Sequence, residues 1–173
     1  SVLGIYRVVA GPWALQANLR NDHSSQFGGR TTGTLAFGWR FAPGWRMTAS
    51  AGTAFKVPTF NDLYYPGYSN PGLVPETARN VEASIAWNGA AGEARLGFSA
   101  TGWHNRVSDL IVFQCDANFA CAPQNVARAT LEGVTLAGDL AWRDTSLRGL
   151  IDLQDPTDDA TGNLLPRRAR AFG

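Results

Sequence analysis

The feature that most constrains the fold of this chain is the position of its tryptophans relative to short polar connections. Five of the six tryptophans lie close to a connection at residues 10–12, 42–44, 88–92 or 143–145. The segments between connections are about 9–12 residues long, and every second residue in them is apolar. A tryptophan ring is apolar but its N–H needs a polar partner, so tryptophan favours a membrane–water interface. Short turns with an aromatic row on one side and long loops on the other are typical of an outer-membrane β-barrel.

Period-two alternation recurs along the chain. In residues 13–21, for example, Trp13, Leu15 and Leu19 share one face, and Gln16 and Asn18 lie on the other. The pattern predicts an all-β, antiparallel fold in which the short turns are periplasmic and the loops at 22–29, 57–77, 106–125 and 155–163 are extracellular. Trp103, far from its turn, is expected at the opposite interface. The predicted strands are 2–9, 13–21, 30–41, 45–56, 78–87, 93–105, 126–142 and 146–154.

A soluble β-sandwich is the main alternative, because its strands also alternate. The predicted strands are longer than the roughly 5–6 residues usual in soluble sheets, and the tryptophans gather at one boundary, so the pattern favours the membrane barrel. The formal net charge of +1 gives no indication of a nucleic-acid partner. The expected partner of the apolar face is outer-membrane lipid.

Two stretches of the longest loop carry a more specific signal. Residues 55–64 (FKVPTFNDLY) and 70–76 (NPGLVPE) resemble the [FY]-[RK]-x-P-[TN]-x-x-x-L-Y and N-P-x-L-x-P-E signature of TonB-dependent outer-membrane receptors. Residues 21–28, 105–111, 125–134 and 164–168 are similar to the corresponding parts of the vitamin B12 (cobalamin) receptor branch. Siderophore receptors share the central signature, so the resemblance is more specific for the superfamily than for cobalamin.

The resemblance implies a Gram-negative outer-membrane barrel of about 22 strands with a plug domain in its lumen. In that family the plug carries the motif that engages TonB. Residues 1–173 are then expected to be a partial barrel of about eight consecutive strands, without plug or closing strands. The implied function is a share in TonB-energised uptake of a large chelate, with cobalamin as the expected substrate. The alternatives are a siderophore or haem receptor, or a small eight-stranded anchoring or interaction barrel.

Four residues are candidate ligand contacts. Arg167 matches an arginine that faces the substrate chamber in the cobalamin receptor, and its guanidinium could donate to amide carbonyls or to a phosphate. Tyr64, Tyr65 and Tyr68 lie in the long loop and could stack on a planar macrocycle. The alternatives are that Arg167 pairs with carboxylates in the lumen and that the tyrosines only close the mouth of the barrel.

The cysteines and the clustered aspartates favour structural roles rather than catalysis or metal binding. Cys115 and Cys121 enclose a short loop that is expected to face outside, and cysteines in an oxidising compartment usually pair, so a disulfide is predicted. A metal site at the cysteines is less favoured because no histidine lies nearby. The aspartates at 152, 155, 158 and 159 are loosely spaced like a calcium loop, but a solvated acidic loop is the simpler interpretation. No catalytic, phosphate-binding or metal-ligand motif is found, so neither an enzyme nor a cofactor is expected.

Overall fold

The computed structural model describes residues 1–116, 119–159, 161–164 and 171–172. These residues form one nine-stranded antiparallel sheet in which the strands follow chain order, as the alternation predicts. In the described residues β1 and β9 do not pair with each other, so the barrel is open. The strands are β1 (Val2–Ala10), β2 (Trp13–Ser24), β3 (Gly28–Ala42), β4 (Trp45–Lys56), β5 (Glu76–Ala91), β6 (Ala94–Cys115), β7 (Cys121–Trp142), β8 (Thr145–Asp158) and β9 (Ala171–Phe172).

Several strands are longer than their alternation predicts, and the loops are correspondingly shorter. The largest correction concerns residues 106–125, where the predicted loop is instead the continuation of the β6–β7 ladder up to the pair Cys115 and Cys121. The predicted turn at 88–92 shortens to Gly92 and Glu93, and β8 runs into the predicted acidic loop. Backbone pairing needs no apolar face, so it continues beyond the point where the alternation has ended.

The register places two chemically different faces on the sheet. Direct cross-strand partners share a face, and one row across six strands is entirely apolar: Trp39, Met47, Ile85, Ala100, Leu136 and Ile151. We call the side that carries this row the apolar face; many of its large side chains are exposed. The opposite, polar face carries residues such as Gln16, Thr34 and Ser50 and is on the whole the more buried of the two along β6, β7 and β8.

The tryptophans at the short turns form a belt on the apolar face. Trp13 and Trp39 stack with ring centroids 4.8 Å apart, and Trp45 meets Phe98 edge-on at 5.4 Å. The ring of Trp87 covers Gly89, whose missing side chain leaves room for it. The belt marks one edge of the apolar band, as expected for an interfacial aromatic girdle.

Trp103 does not join the aromatic residues of the apolar face. It lies opposite Glu82 and Gly133 in the ladders, which places it on the polar face, and its ring lies over Gly133. It belongs to a small cluster of apolar side chains on that face, centred on Val107, Ala129 and Leu131. The expectation of an interfacial position on the lipid side is therefore wrong for this tryptophan.

The connection after β4 contains the one short helix of the described residues, α1 (Phe60–Tyr64), inside a segment for which the sequence shows no helical period. No described helix has the length and apolar character needed to span a membrane.

Candidate functional site

The candidate site consists of the loop between β4 and β5 and the part of the polar face beside it. Thr59 starts α1 with a capping box: its hydroxyl accepts from the Asp62 N–H at 3.2 Å, and its own N–H donates to the Asp62 carboxylate at 2.8 Å. Leu63 of the helix is only 3% exposed. The loop thus has a local fold of its own.

A second set of hydrogen bonds ties the end of the loop to β7. The side chain of Asn125 accepts from the Val74 N–H at 3.0 Å and donates to the Val74 carbonyl at 3.1 Å. Asn70 donates from Nδ2 to the Pro123 carbonyl at 3.2 Å. These bonds join residues more than fifty positions apart, so the loop is held against the longest hairpin.

The three tyrosines predicted as ligand contacts lie on this loop. Tyr64, Tyr65 and Tyr68 are 48%, 53% and 54% exposed. The Tyr64 hydroxyl accepts from Gln26 Nε2 at 3.0 Å, and Tyr68 lies 6.3 Å from the Tyr65 ring and 6.2 Å from the Phe113 ring. We call Tyr65, Tyr68 and Phe113 the loop aromatic cluster; the Tyr64 ring lies 5.1 Å from that of Phe60. Arg167, the fourth predicted contact, lies outside the described residues.

Beside the loop, the polar face contains a cavity of about 260 Å³. At its edge Glu76, only 9% exposed, accepts from the Ile111 N–H at 2.9 Å and from Lys56 Nζ at 3.3 Å. Asn105 Oδ1, which is buried, has no hydrogen-bond partner among the described residues. An unpaired buried carbonyl oxygen is costly, so this atom is suited to accept from a donor that enters the lumen.

Sequence reasoning missed Asn105 and Glu76. Both occupy polar-face positions at the far end of their strands from the tryptophan belt. Both also lie in stretches that resemble the receptor family, at 70–76 and 105–111, but the resemblance assigns neither residue a role. Their burial depends on the loop and on the β6–β7 extension, neither of which the alternation predicts.

The cysteine prediction is confirmed by a disulfide between Cys115 and Cys121, whose Cα atoms are 3.9 Å apart. It closes the tip of the β6–β7 hairpin, where the two residues are direct cross-strand partners.

The predicted acidic loop at 155–163 is wrong in part, because β8 extends to Asp158. Asp152, Asp155 and Asp158 lie within β8, and the buried Asp152 accepts from Thr135 Oγ1 at 2.7 Å. The described residues contain no group of three or more potential metal ligands.

Comparisons with known proteins agree with this architecture. The family model described as TonB dependent receptor-like, beta-barrel matches residues 4–173. The chain is 32% identical, over 96% of its length, to the vitamin B12 transporter BtuB of Photobacterium profundum, and covers 27% of that protein. It is 33% identical, over 91% of its length, to BtuB of Vibrio cholerae serotype O1, of which it covers 24%. It therefore spans about a quarter of the length of these curated relatives.

Solved structures show the same fold. The copper transporter OprC superposes with a TM-score of 0.75 at 17% identity, over 95% of this chain and 30% of OprC. The siderophore receptor PirA from Pseudomonas aeruginosa superposes with a TM-score of 0.73 at 17% identity, over 91% of this chain and 34% of PirA.

Proposed function

The chain belongs to the TonB-dependent receptor β-barrel family, and from this premise we propose that it forms part of an outer-membrane receptor that imports cobalamin. The observation that carries the choice of substrate is the 32–33% identity to vitamin B12 transporters over at least nine-tenths of the chain. Transport would be energised by TonB, which engages the plug domain in the periplasm. The family is one of transporters and receptors rather than of enzymes.

The geometry of the loop supports a role in capturing a large planar ligand. The rings of Tyr65 and Tyr68 are about half exposed, while the loop that carries them is fixed by the Thr59 cap and by the Asn125 clamp. A fixed aromatic surface loses little conformational entropy when a ligand binds to it. A corrin ring offers the broad, mostly apolar surface that such side chains contact well.

Two further groups fit the polar periphery of a corrinoid. Arg167 would donate to its amide carbonyls or to its phosphate, as the family resemblance implies. Asn105 Oδ1, unpaired in the luminal cavity, would accept from a side-chain amide N–H of the ligand or from a donor on the plug.

Binding by the full-length receptor tests this proposal. Outer membranes that carry the receptor are incubated with labelled cyanocobalamin, with ferric siderophores and haem as competitors. We expect saturable cobalamin binding that these competitors do not displace. Binding of a ferric siderophore or haem instead would replace cobalamin with the alternative substrate of the same superfamily.

Tyrosine variants test the loop separately. Replacing Tyr65 or Tyr68 by alanine should weaken cobalamin binding about two- to tenfold for each ring. Tyr6→Ala is the matched control, since Tyr6 is 64% exposed and lies on the apolar face in β1. If all three variants bind alike, the loop aromatic cluster has no part in recognition, whatever the substrate.

A further inference from the structure

An arginine-lined cavity lies at the end of the sheet opposite the tryptophan belt. It has a volume of about 510 Å³ and includes Arg79, Arg106 and Arg128 among its lining residues. We call these three residues the arginine triad. They come from three adjacent strands, β5, β6 and β7, and all three are exposed.

The register places the arginine triad on the apolar face. Arg79 and Arg106 are direct cross-strand partners, and they share a face with Val81 and Ile85 two and six positions along β5. Arg128 lies opposite Ser108, one row further along the same face. Direct partners are about 5 Å apart and diagonal neighbours about 7–8 Å, so the three guanidinium groups can converge on one small anion.

The position along the strand places the arginine triad at the far edge of the apolar band. Arg79 is eight residues from Trp87 of the tryptophan belt. Eight residues at about 3.4 Å and a tilt of about 40° correspond to roughly 20 Å along the membrane normal, close to the height of about 25 Å of an outer-membrane apolar band. Arg79 and its direct partner Arg106 therefore lie at the depth of lipid headgroups, on the side that faces lipid, and Arg128 lies one row further from the tryptophan belt.

The positive charge of the arginine triad is not neutralised within the described part of the chain. No carboxylate oxygen of a described residue lies within 4.0 Å of these three guanidinium groups. Glu132, on the row below, is engaged by His104 Nδ1 at 2.8 Å, and Asp155 on the same row is not free. Asp159 and Arg30 also line the cavity, so arginines outnumber carboxylates in its lining.

Like charges directly opposite each other destabilise a sheet, and the pair Arg79–Arg106 does so unless an anion is bound between them. We propose that the arginine triad binds a phosphate group of a lipid headgroup in the outer leaflet of the membrane. Arginine forks match phosphate oxygens, and a headgroup phosphate is the anion that reaches this depth from the lipid side. The site is on the outside of the barrel, so it is independent of the chelate that the lumen accepts.

The test uses the full-length receptor in maltoside micelles, with lipid A as the probe and dephosphorylated lipid A as its matched control lipid. Bound lipid is counted by native mass spectrometry. The triad variant carries Arg79→Gln, Arg106→Gln and Arg128→Gln. The control variant carries Arg46→Gln, Arg95→Gln and Arg148→Gln, which remove the same charge from the polar face near the short turns. The shift in electrophoretic mobility between unheated and heated samples, which does not depend on the substrate, verifies that each variant is folded, and cobalamin binding is measured separately.

We expect lipid A, but not the dephosphorylated lipid, to bind the wild-type receptor, and the triad variant to lose at least about tenfold in affinity while the control variant does not. Equal binding of the dephosphorylated lipid to the wild-type receptor would overturn the proposal without any variant. Displacement of lipid A by inorganic phosphate would assign the site to a free anion instead, and unchanged binding by the triad variant would exclude these arginines. Failure of the wild-type receptor to bind cobalamin would contradict only the proposed function, because the lipid site is on the outside of the barrel.

Discussion

An arginine placed in the middle of the apolar face should destabilise the receptor far more than an arginine one residue away. Leu35 is the test position: it lies four residues from Trp39 in β3 and four from Thr31, the nearest polar side chain on the same face of that strand. At about 3.4 Å per residue and a tilt of about 40°, Leu35 is roughly 10 Å from either edge of the band, near the membrane midplane. Its cross-strand partners, Ala17 and Ala51, are small and offer a charge no hydrogen bond.

For Leu35→Arg we expect a loss of about 2–4 kcal/mol in the free energy of unfolding, as is usual for arginine at the midplane of such barrels. This equals a change of about 30- to 700-fold in the folding equilibrium constant. Ala36→Arg is the matched control, because Ala36 lies on the polar face between Gln16 and Ser50 and its arginine can reach water or a polar neighbour.

The measurement is a guanidinium titration of the full-length receptor in phospholipid vesicles, followed by tryptophan fluorescence. Both variants add the same charge at adjacent positions of β3, so the difference between them reports the environment of the two faces. Equal costs at the two positions, or a larger cost at Ala36, would refute the assignment of the two faces.

Two further predictions concern local packing and orientation. Gly133→Ala should lower the free energy of unfolding by about 1–3 kcal/mol, measured by heat or guanidinium, because its new Cβ would meet the Trp103 ring and the Leu153 carbonyl. Gly102→Ala is the control, since its Cβ would enter open space and should cost nothing. Similar losses in the two variants would contradict the close contact at Gly133. A membrane-impermeant maleimide should label Thr161→Cys but not Asp144→Cys in intact cells, because the predicted orientation places the connection after β8 outside the cell and the β7–β8 turn in the periplasm. The reverse labelling pattern would invert the orientation.

Within the apolar band the sequence predicts the fold well. In β2, β3 and β4 the apolar residues fall on one face as the alternation requires, and the tryptophans mark the turns. The physical reason is that lipid imposes a strict chemical requirement on every second side chain. No such requirement exists beyond the band, which is why the extension of β6 and β7 to the cysteines carries no recognisable pattern.

The candidate site is predictable only in part for the same reason. The family signature locates the loop of Tyr64, Tyr65 and Tyr68, but not the capping box that folds it or the Asn125 clamp that holds it. Those contacts join residues far apart in sequence. The buried acceptor of Asn105 depends on the same long-range packing, and a polar residue on a polar face does not reveal that its partner is missing.

The disulfide at the end of the β6–β7 hairpin also has a consequence for assembly. Cys115 and Cys121 are direct partners, so a disulfide that forms before the rest of the hairpin pairs fixes which residue of β6 meets which residue of β7. A slip by a single position would turn the lipid-facing side chains of one strand inward. The covalent link excludes such a slip at the tip. The remaining residue pairs of the longest hairpin can then form one after another in the correct register.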